Sequence, residues 1–360
     1  MTGHTRRGWL VFALVMAQGV IEAAPRRVQP PPEPPHVARA RFLMGTRLEI
    51  ILPPAAPEAA FEAAFAEVDR LEMILSNWRD DSELSRLNRS PAGVPFRCSA
   101  DLFAALRVAL RFARDTEGAF DPTVEPLVRR LGLRPMEGRL PDIAVILDPA
   151  MGTPVALAPE DAPIGWWHVH LDRSERSVCF DAPGVGIDLG GIGKGIGLDA
   201  AARVLMRRGV RTARLDFGGQ VLAIGAPRGR AGWAVSVSGP GDRQHGVASI
   251  RLRNLSASTS GNDERSVPGT SGLVGHILDP SRRSPAPFGG AVTVVRREAA
   301  AADALSTAMF VMGPERGGAW AEASGLAALF LWRGPDGALE RKATTAFLAI
   351  EDDGEKGAGE

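Results

Sequence analysis

A glycine-rich turn constrains this chain more than any other feature of its sequence. Residues 187–189 form an apolar run that contains Asp188, and residues 190–195 then supply four glycines and Lys194 before an amphipathic stretch. Glycine lets backbone N–H groups approach a phosphate closely, and the N-terminus of a following helix favours negative charge. The segment therefore predicts a strand, an anion-binding turn and a helix, in that order.

A second polar motif lies far downstream, in residues 302–307 (ADALST). On a helix, Asp303 and Thr307 are one turn apart, so two hard oxygen ligands share one face. Together the two motifs indicate a metal-assisted site for a phosphate-bearing ligand. Each motif alone also fits a simpler structure, namely a plain turn or a solvated polar helix face.

The glycine pattern is related to two nucleotide-binding motifs but matches neither strictly. A Walker A motif needs Ser or Thr after the lysine, whereas Lys194 is followed by Gly195. Residues 195–200 (GIGLDA) fit a loose dinucleotide-binding pattern, and Asp216 follows about 20 residues on. An NAD(P)-dependent Rossmann oxidoreductase therefore stays an alternative, ranked last because the strict glycine spacing is absent.

Length and charge limit the classes of protein to consider. The chain has 360 residues, 45% of them hydrophobic, which is enough for one large domain or two smaller ones. Its 42 basic residues equal its 42 acidic residues, so no net field attracts nucleic acid. We expect no nucleic-acid partner.

The N-terminus has the pattern of a targeting segment. Arg6 and Arg7 precede an apolar run over residues 9–20, and small residues follow at Ala23 and Ala24. We expect a signal peptide over residues 1–24 and a periplasmic protein, with an uncleaved membrane anchor as the alternative. A proline-rich linker is expected over residues 25–38, a folded domain over 39–350 and a disordered tail over 351–360.

Hydrophobic periodicity predicts helices early in the chain and short strands later. A strand pattern over residues 41–52 is broken at Gly45, and residues 134–163 show no clear period. Helices ahead of mainly antiparallel strands indicate the α+β class. Helices are expected over residues 57–75, 99–118, 124–131, 195–208 and 298–312, and strands over 178–180, 185–189, 213–217, 221–224, 233–237, 247–252 and 291–295.

Cys98 and Cys179 are the only cysteines. In an exported protein they can pair, but two isolated thiols are more often small core residues.

Eight short motifs, taken in order, resemble those of the ApbE-like FAD:protein FMN transferases. They extend over roughly residues 39–313, and eight motifs in register are far more specific than one. The motifs are residues 44–46 (MGT), 76–78 (SNW) with 82–88 (SELSRLN), 118–123 (GAFDPT), 188–195 (DLGGIGKG), 217–219 (FGG), 259–261 (TSG), 276–280 (HILDP) and 302–307 (ADALST).

The resemblance implies a single α+β catalytic domain that cleaves the FAD pyrophosphate. FMN would be attached through a phosphoester to a Ser or Thr of a target protein, with release of AMP. The target would be an exported or membrane-bound flavoprotein, such as a respiratory or electron-transfer subunit. A relative that binds FAD, or hydrolyses it with Mg²⁺, without modifying a protein shares all these motifs and stays an alternative.

The resemblance also implies roles for individual residues. Asp303 and Thr307 would bind Mg²⁺, with Ser306 as a third ligand and a carbonyl near Gly191 completing the site. His276 would accept the proton of the target hydroxyl, and Asp279 would orient it or hold its loop. The residues expected to line the FAD are Met44, Trp78, Ala119, Phe120, Asp121, Asp188, Lys194 and Ile277.

The chain departs from the family pattern at a few of these positions. It has no tyrosine, and Trp78 stands where the family usually has one. An indole can also stack on a flavin or adenine ring. Arg282 and Arg283 replace the usual Thr-Gly after the HILDP motif.

Overall fold

An eight-stranded antiparallel sheet forms the framework of this computed structural model, which describes residues 36–131, 133, 163–261, 266–269 and 272–352. The strand order is β1-β2-β6-β7-β10-β15-β16-β17. The strands are β1 (Val37–Leu43), β2 (Thr46–Leu52), β3 (Phe96–Arg97), β4 (Val169–Asp172), β5 (Ser177–Phe180), β6 (Ala213–Phe217), β7 (Gln220–Ile224), β8 (Trp233–Gly239), β9 (Asp242–Leu252), β10 (Ser256–Gly261), β11 (Ser266–Gly269), β12 (Gly272–Gly275), β13 (Leu278–Asp279), β14 (Ser284–Pro285), β15 (Ala291–Arg296), β16 (Ala327–Arg333) and β17 (Leu339–Ala343).

The helices are α1 (Glu58–Leu75), α2 (Glu83–Asn88), α3 (Ala100–Asp115), α4 (Glu125–Arg130), α5 (Gly193–Arg207), α6 (Ala299–Ala323) and α7 (Thr345–Leu348). Helices α1, α5 and α6 cover one face of this sheet, whereas Phe347 of the short C-terminal helix packs in the core on the other face. α1 packs on α5, α5 packs on α6, and α6 packs on β10 and β15. This layer places the two polar motifs of the sequence, at the starts of α5 and α6, side by side.

Successive side chains of a strand point to opposite faces of the sheet. The central strands are buried on both faces because a hydrophobic core lies on each side. In β7, Leu222 and Ile224 belong to the core under the helices, whereas Val221 and Ala223 face the opposite core. The hairpin of β8 and β9 contributes Trp233 to that second core. The observed architecture confirms the predicted α+β class.

Local signals position most helices correctly. The predicted helix over residues 57–75 is α1, which buries Phe61, Phe65 and Leu71 along one side. α3 begins after Ser99, whose hydroxyl accepts a hydrogen bond from Leu102 N at 3.2 Å. The helix predicted over residues 298–312 ends as expected, because Gly313 has φ 73° and ψ 177° and a further helical segment starts at Pro314.

One predicted strand is wrong. Residues 185–189 are extended but pair with no strand among the described residues. The side-chain amide of Asn88 takes the place of a neighbouring strand: its Oδ1 accepts from Ile187 N and its Nδ2 donates to Ile187 O, both at 2.8 Å. Asp188 N donates to Pro122 O at 2.7 Å. The glycine turn therefore follows a segment held by side-chain and loop contacts, not a sheet strand.

The described pairs of strands are all antiparallel. A Rossmann fold is built on a parallel sheet with helices as crossovers. The Rossmann alternative is therefore wrong for the described part of the chain. Asp216, the acidic residue of that pattern, lies inside β6 and accepts from Gly219 N at 3.1 Å.

Several predictions fall on residues that the structure does not describe. Residues 1–24, most of the proposed linker and residues 353–360 of the tail lie outside the described ranges, as do residues 134–162. Within the described ranges, no helix combines the length and apolarity needed to cross a membrane.

Cys98 and Cys179 are both free thiols, and burial raises the pKa of Cys98 to about 12.

Candidate active site

Asp303 lies at the centre of a polar cluster between the first turn of α5 and the second turn of α6. Its carboxylate is buried, and its Oδ2 accepts a hydrogen bond from Gly195 N at 3.0 Å. Lys194 Nζ lies 3.3 Å from Oδ1, and Ser258 Oγ donates to the same oxygen at 3.4 Å. The structure thus brings together the lysine of the glycine turn and the aspartate of the helix motif.

Hydroxyl groups extend this cluster along α6 and across to β10. Ser306 Oγ lies 2.9 Å from Ser260 Oγ and 3.3 Å from Ser258 Oγ. Thr307 Oγ1 lies 3.4 Å from Ser260 Oγ and donates to Asp303 O at 3.2 Å. One carboxylate and four hydroxyls therefore share one small, mostly buried volume.

Ser258 and Ser260 are site residues that the sequence analysis missed. The motif at residues 259–261 marked this stretch but gave no role to its side chains. Both serines are buried in β10, and residues two apart on a strand face the same side. That alternation is the signal that could have found them, had the polar segment SASTSG been recognised as a central strand.

Gly191 lies against the same helix face. A Cβ atom at this position would be 3.2 Å from Thr307 Oγ1 and 3.3 Å from Phe120 Cε2. Such contacts are tighter than ordinary van der Waals packing, so glycine allows the turn to approach α6 closely. The turn, Phe120 and the Thr307 face of α6 are therefore neighbours.

The close approach continues where α5 meets the N-terminus of α6. A Cβ at Gly195 would lie 2.4 Å from Ala299 O, a separation that side chains do not reach. Asp199 accepts hydrogen bonds from Ala299 N at 2.8 Å and Ala300 N at 3.0 Å, so it caps α6 from a neighbouring helix. Burial raises the pKa of the Asp199 carboxyl. We call this contact of α5 with residues 299–303 the α5–α6 junction.

The donor set at the junction suits a hard divalent cation. Asp303, Ser306 and Thr307 offer oxygen only, and Mg²⁺ prefers oxygen ligands. Among the described residues, no group of three His, Cys, Asp or Glu side chains is arranged to hold a metal, so Asp303 is the one carboxylate of this set. Lys194 Nζ stands beside Asp303 Oδ1, where it balances the buried charge.

Asp188 is fixed on the other side of the glycine turn. Its Oδ2 accepts from Asn77 Nδ2 at 2.6 Å, and its Oδ1 accepts from Gly190 N at 2.6 Å. Asn77 is 3% exposed and was not singled out from the sequence, although it belongs to the SNW motif. The pair holds the turn against the segment that follows α1, close in sequence to Trp78.

Asp121 is occupied by contacts within the protein. Its Oδ1 accepts from Thr123 N at 2.9 Å and Thr123 Oγ1 at 2.6 Å, and its Oδ2 accepts from Trp166 N at 2.9 Å. Burial raises the pKa of this carboxyl. With these contacts Asp121 caps the turn at residues 121–123, and a contact with flavin stays a prediction.

The remaining predicted flavin contacts differ in exposure. Ala119 and Ile277 are buried in the core under the helices, with Phe120. Trp78 is 48% exposed just after α1. Met44 is partly buried in the turn between β1 and β2, where its N donates to Glu72 Oε2 at 2.7 Å.

His276 and Asp279 lie on a separate loop. His276 is half-buried and precedes β13, whose Asp279 pairs in register with Ser284 of β14. Asp279 Oδ1 accepts from Ser281 N at 2.9 Å, Ser281 Oγ at 2.7 Å and Arg282 N at 3.2 Å. These bonds fit the interpretation that Asp279 holds the loop, and its action on His276 stays a prediction.

Comparison with known proteins finds similarity to one family. A family model described as the ApbE family matches residues 44–330. An FAD:protein FMN transferase of Vibrio cholerae is 32% identical over 280 residues, which are 76% of this chain and 80% of that protein. One of Treponema pallidum is 30% identical over 315 residues, which are 82% of this chain and 84% of that protein.

Solved structures share the fold. The ApbE protein of Thermotoga maritima superposes with a TM-score of 0.76 at 27% identity, covering 89% of this chain and 100% of that one. The flavin transferase ApbE of Vibrio cholerae superposes with a TM-score of 0.73 at 28% identity, covering 88% and 100%. Since the family model also spans most of the sequence, the chain belongs to the ApbE family.

Proposed function

We propose that this chain is an FAD:protein FMN transferase that transfers FMN from FAD to a Ser or Thr of a target protein and releases AMP. The observation that carries the proposal is the buried Asp303 carboxylate, held between Lys194 and a set of hydroxyls directly beside the glycine turn. The names of the similar proteins from Vibrio cholerae and Treponema pallidum support the same activity.

The reaction is a displacement at phosphorus. The acceptor hydroxyl oxygen bonds to the phosphorus of the FMN half, and the bond between that phosphorus and the bridging oxygen breaks. AMP leaves with the bridging oxygen, and the hydroxyl proton passes to a base. Catalysis of such a step depends on positioning and on neutralising the phosphate charge.

The residues of the α5–α6 junction are suited to neutralising the phosphate charge. Lys194 lies at the first turn of α5, where its ammonium can neutralise phosphate oxygens. Asp303, Ser306 and Thr307, with a carbonyl near Gly191, would hold Mg²⁺. That ion supplies further charge neutralisation at the pyrophosphate. Asp199 and the close packing at Gly195 keep this constellation rigid.

His276 is the proposed base. A neutral imidazole can take up the hydroxyl proton near neutral pH. Asp279 fixes the adjacent loop through Ser281 and Arg282, so the position of His276 depends on a defined turn. Met44, Trp78, Phe120 and Asp188 are proposed to contact the flavin nucleotide.

The target and the compartment are part of the proposal. We propose a periplasmic enzyme, because residues 1–24 have the pattern of a signal peptide. The target would then be an exported or membrane-bound flavoprotein of an electron-transfer chain. A Mg²⁺-dependent FAD pyrophosphatase is the competing function, since it needs the same junction and no acceptor.

One experiment separates the two functions. The chain without residues 1–24 is incubated with FAD, Mg²⁺ and a candidate exported flavoprotein, and the mixture is analysed by mass spectrometry. Transfer predicts an FMN adduct on a Ser or Thr of the flavoprotein and an equal amount of AMP. AMP with no adduct on any candidate would favour the pyrophosphatase, and tighter binding of NADH than of FAD would contradict both.

A further inference from the structure

A groove of about 600 Å³ runs along the outer side of α3, away from the polar cluster at the junction. Its second wall is the segment around β4, which begins at the two tryptophans before that strand. We call it the arginine groove after the residues that define it, Arg107, Arg111, Arg114, Trp166, Trp167 and Arg173.

The groove is strongly positive. Arg107, Arg111 and Arg114 follow the helical spacing i, i+4, i+7, so they form one exposed row over about 10 Å of α3. Arg173 faces this row from the opposite wall. None of the four guanidinium groups forms an ion pair with a carboxylate in the described part of the chain.

Two carboxylates of the segment around β4, Asp172 and Asp181, are not among the residues that line the groove. Asp181 accepts from His168 Nδ1 at 2.7 Å and lies 3.1 Å from His170 Nε2. Asp172 Oδ1 accepts from the backbone N–H groups of Ser174 and Glu175, at 2.8 and 3.2 Å. The described lining of the groove thus holds four arginines and no carboxylate, which favours an outside anion.

The groove also presents aromatic surface. Trp167 is 56% exposed, and its ring meets that of Trp166 edge to face at a centroid distance of 5.9 Å. Arg114 lies over the Trp166 ring, with Cζ 5.3 Å from the centroid, which fixes one guanidinium in place. Trp and Arg are the residues most enriched among the energetic hot spots of protein interfaces.

We propose that the arginine groove binds an extended acidic segment of the acceptor protein, an inference that rests on the proposed function. The arginines lie in a row and do not converge on one point, so they match carboxylates spaced along a chain better than one phosphate group. The groove connects to the flavin region through the hydrogen bond from Trp166 N to Asp121, next to Phe120. A segment bound there would therefore lie next to the loop that carries Phe120, a residue proposed to contact the flavin.

The first test needs no transferase activity. A fluorescein-labelled peptide in which glutamate alternates with serine is titrated with the whole protein, and fluorescence anisotropy reports binding. The same peptide with glutamine in place of glutamate is the ligand control. We expect the acidic peptide alone to bind, and the double variant R107A/R111A to weaken its affinity about tenfold or more.

Matched variants separate the groove from general charge. Arg208→Ala removes an exposed arginine at the end of α5 that lies outside the groove, and it should leave peptide affinity unchanged. Trp167→Ala should weaken binding several-fold without changing charge. Equal binding of the glutamine peptide, an equal loss with Arg208→Ala, or displacement of the peptide by ADP at lower concentration than by unlabelled peptide would overturn the proposal.

The second test uses the transfer reaction. R107A/R111A should raise KM for the acceptor flavoprotein about tenfold while KM for FAD and kcat stay unchanged. If transfer occurs and KM for the acceptor does not move, the groove is not the docking surface although the proposed function stands. If no transfer occurs with any acceptor, the function fails, and the peptide titration still decides whether the groove binds acidic chains.

Discussion

The α5–α6 junction and the loop that carries His276 differ in how they are held. At the junction, Asp303 is buried and Asp199 is partly buried, and backbone N–H groups of the adjoining helix occupy each carboxylate. The loop is held by strands of two residues each and by the turn at Asp279, with Arg282 exposed beside it. Changes at the junction should therefore affect fold and catalysis together, whereas changes in the loop should affect the rate alone.

The largest effect should come from Asp303→Asn. The amide keeps an oxygen for Gly195 N but removes the charge opposite Lys194 and the carboxylate needed for a cation. We expect FMN transfer and AMP release to fall at least about 10³-fold, because a bound metal contributes several kcal/mol to such reactions. Both products are measured at saturating Mg²⁺, and circular dichroism reports the fold.

Asp101→Asn is the control for Asp303→Asn. Asp101 is likewise a helical aspartate beside a basic side chain, but its pair with Arg70 at 2.7 Å is on the surface. Surface pairs contribute little, so its activity should equal the parent's. Parental transfer by Asp303→Asn would show that the catalytic charge lies elsewhere.

In the loop, His276→Ala should lower transfer by about 10²–10⁴-fold, the usual contribution of a general base. FAD affinity, followed by fluorescence titration, should not change, and neither should the unfolding midpoint. His36→Ala, which removes a histidine that stacks on Trp233 at 5.0 Å, is the matched control. A loss of FAD affinity or stability in His276→Ala would contradict the prediction that changes in the loop affect the rate alone.

Alanine substitutions at two glycines of α5 test how much the close packing of the junction contributes to stability. Gly195→Ala places a methyl group 2.4 Å from Ala299 O, so α5 and α6 must separate, and we expect a loss of about 3 kcal/mol. At Gly193, two residues earlier in the same turn, a Cβ meets nothing within 4 Å. Gly193→Ala should therefore change stability by less than about 1 kcal/mol, in the stabilising direction. Equal unfolding free energies in urea for the two variants would mean that the junction is not tightly packed.

The smallest expected effect is the contribution of Asp199 to the pH dependence of the unfolding free energy. Burial raises its pKa in the folded state, so the folded protein holds this proton more tightly than the unfolded chain does. Its contribution to stability is therefore full below the unfolded pKa of about 3.9 and falls as pH rises through the folded value. Asp199→Asn, which cannot titrate, should remove this part of the slope in unfolding free energy between acid and neutral pH. Parallel pH profiles for parent and variant would contradict it.

The sequence predicts the junction well because its signals are local. The spacing of Asp303 and Thr307 and the glycines around Lys194 depend on helical periodicity and turn chemistry, which act within a few residues. Gly313 and Pro314 likewise mark the break in α6. The periods of α1 and α3 are equally local, and both helices are found where expected.

What the sequence did not predict depends on residues far apart in the chain. Residues 185–189 have the composition of a strand, yet Asn88, about a hundred residues earlier, holds that backbone with its side chain. The segment SASTSG has a weak strand pattern, yet it lies between β7 and β15 and supplies Ser258 and Ser260 to the cluster. The partnership of Asn77 with Asp188 also needs the folded chain.

The hairpin turn between β1 and β2 holds Met44 in a backbone conformation that usually favours another residue. Met44 has φ 46° and Gly45 has φ 74°, so a residue with a long side chain occupies a left-handed position that favours Gly or Asn. Its Cε lies 3.7 Å from the position that a Cβ atom would take at Gly197, against the core between α1 and α5. Met44→Gly would relax the turn, but it would also remove a side chain proposed to contact flavin. On the proposed function, the backbone of this turn and the flavin site therefore favour different residues at position 44.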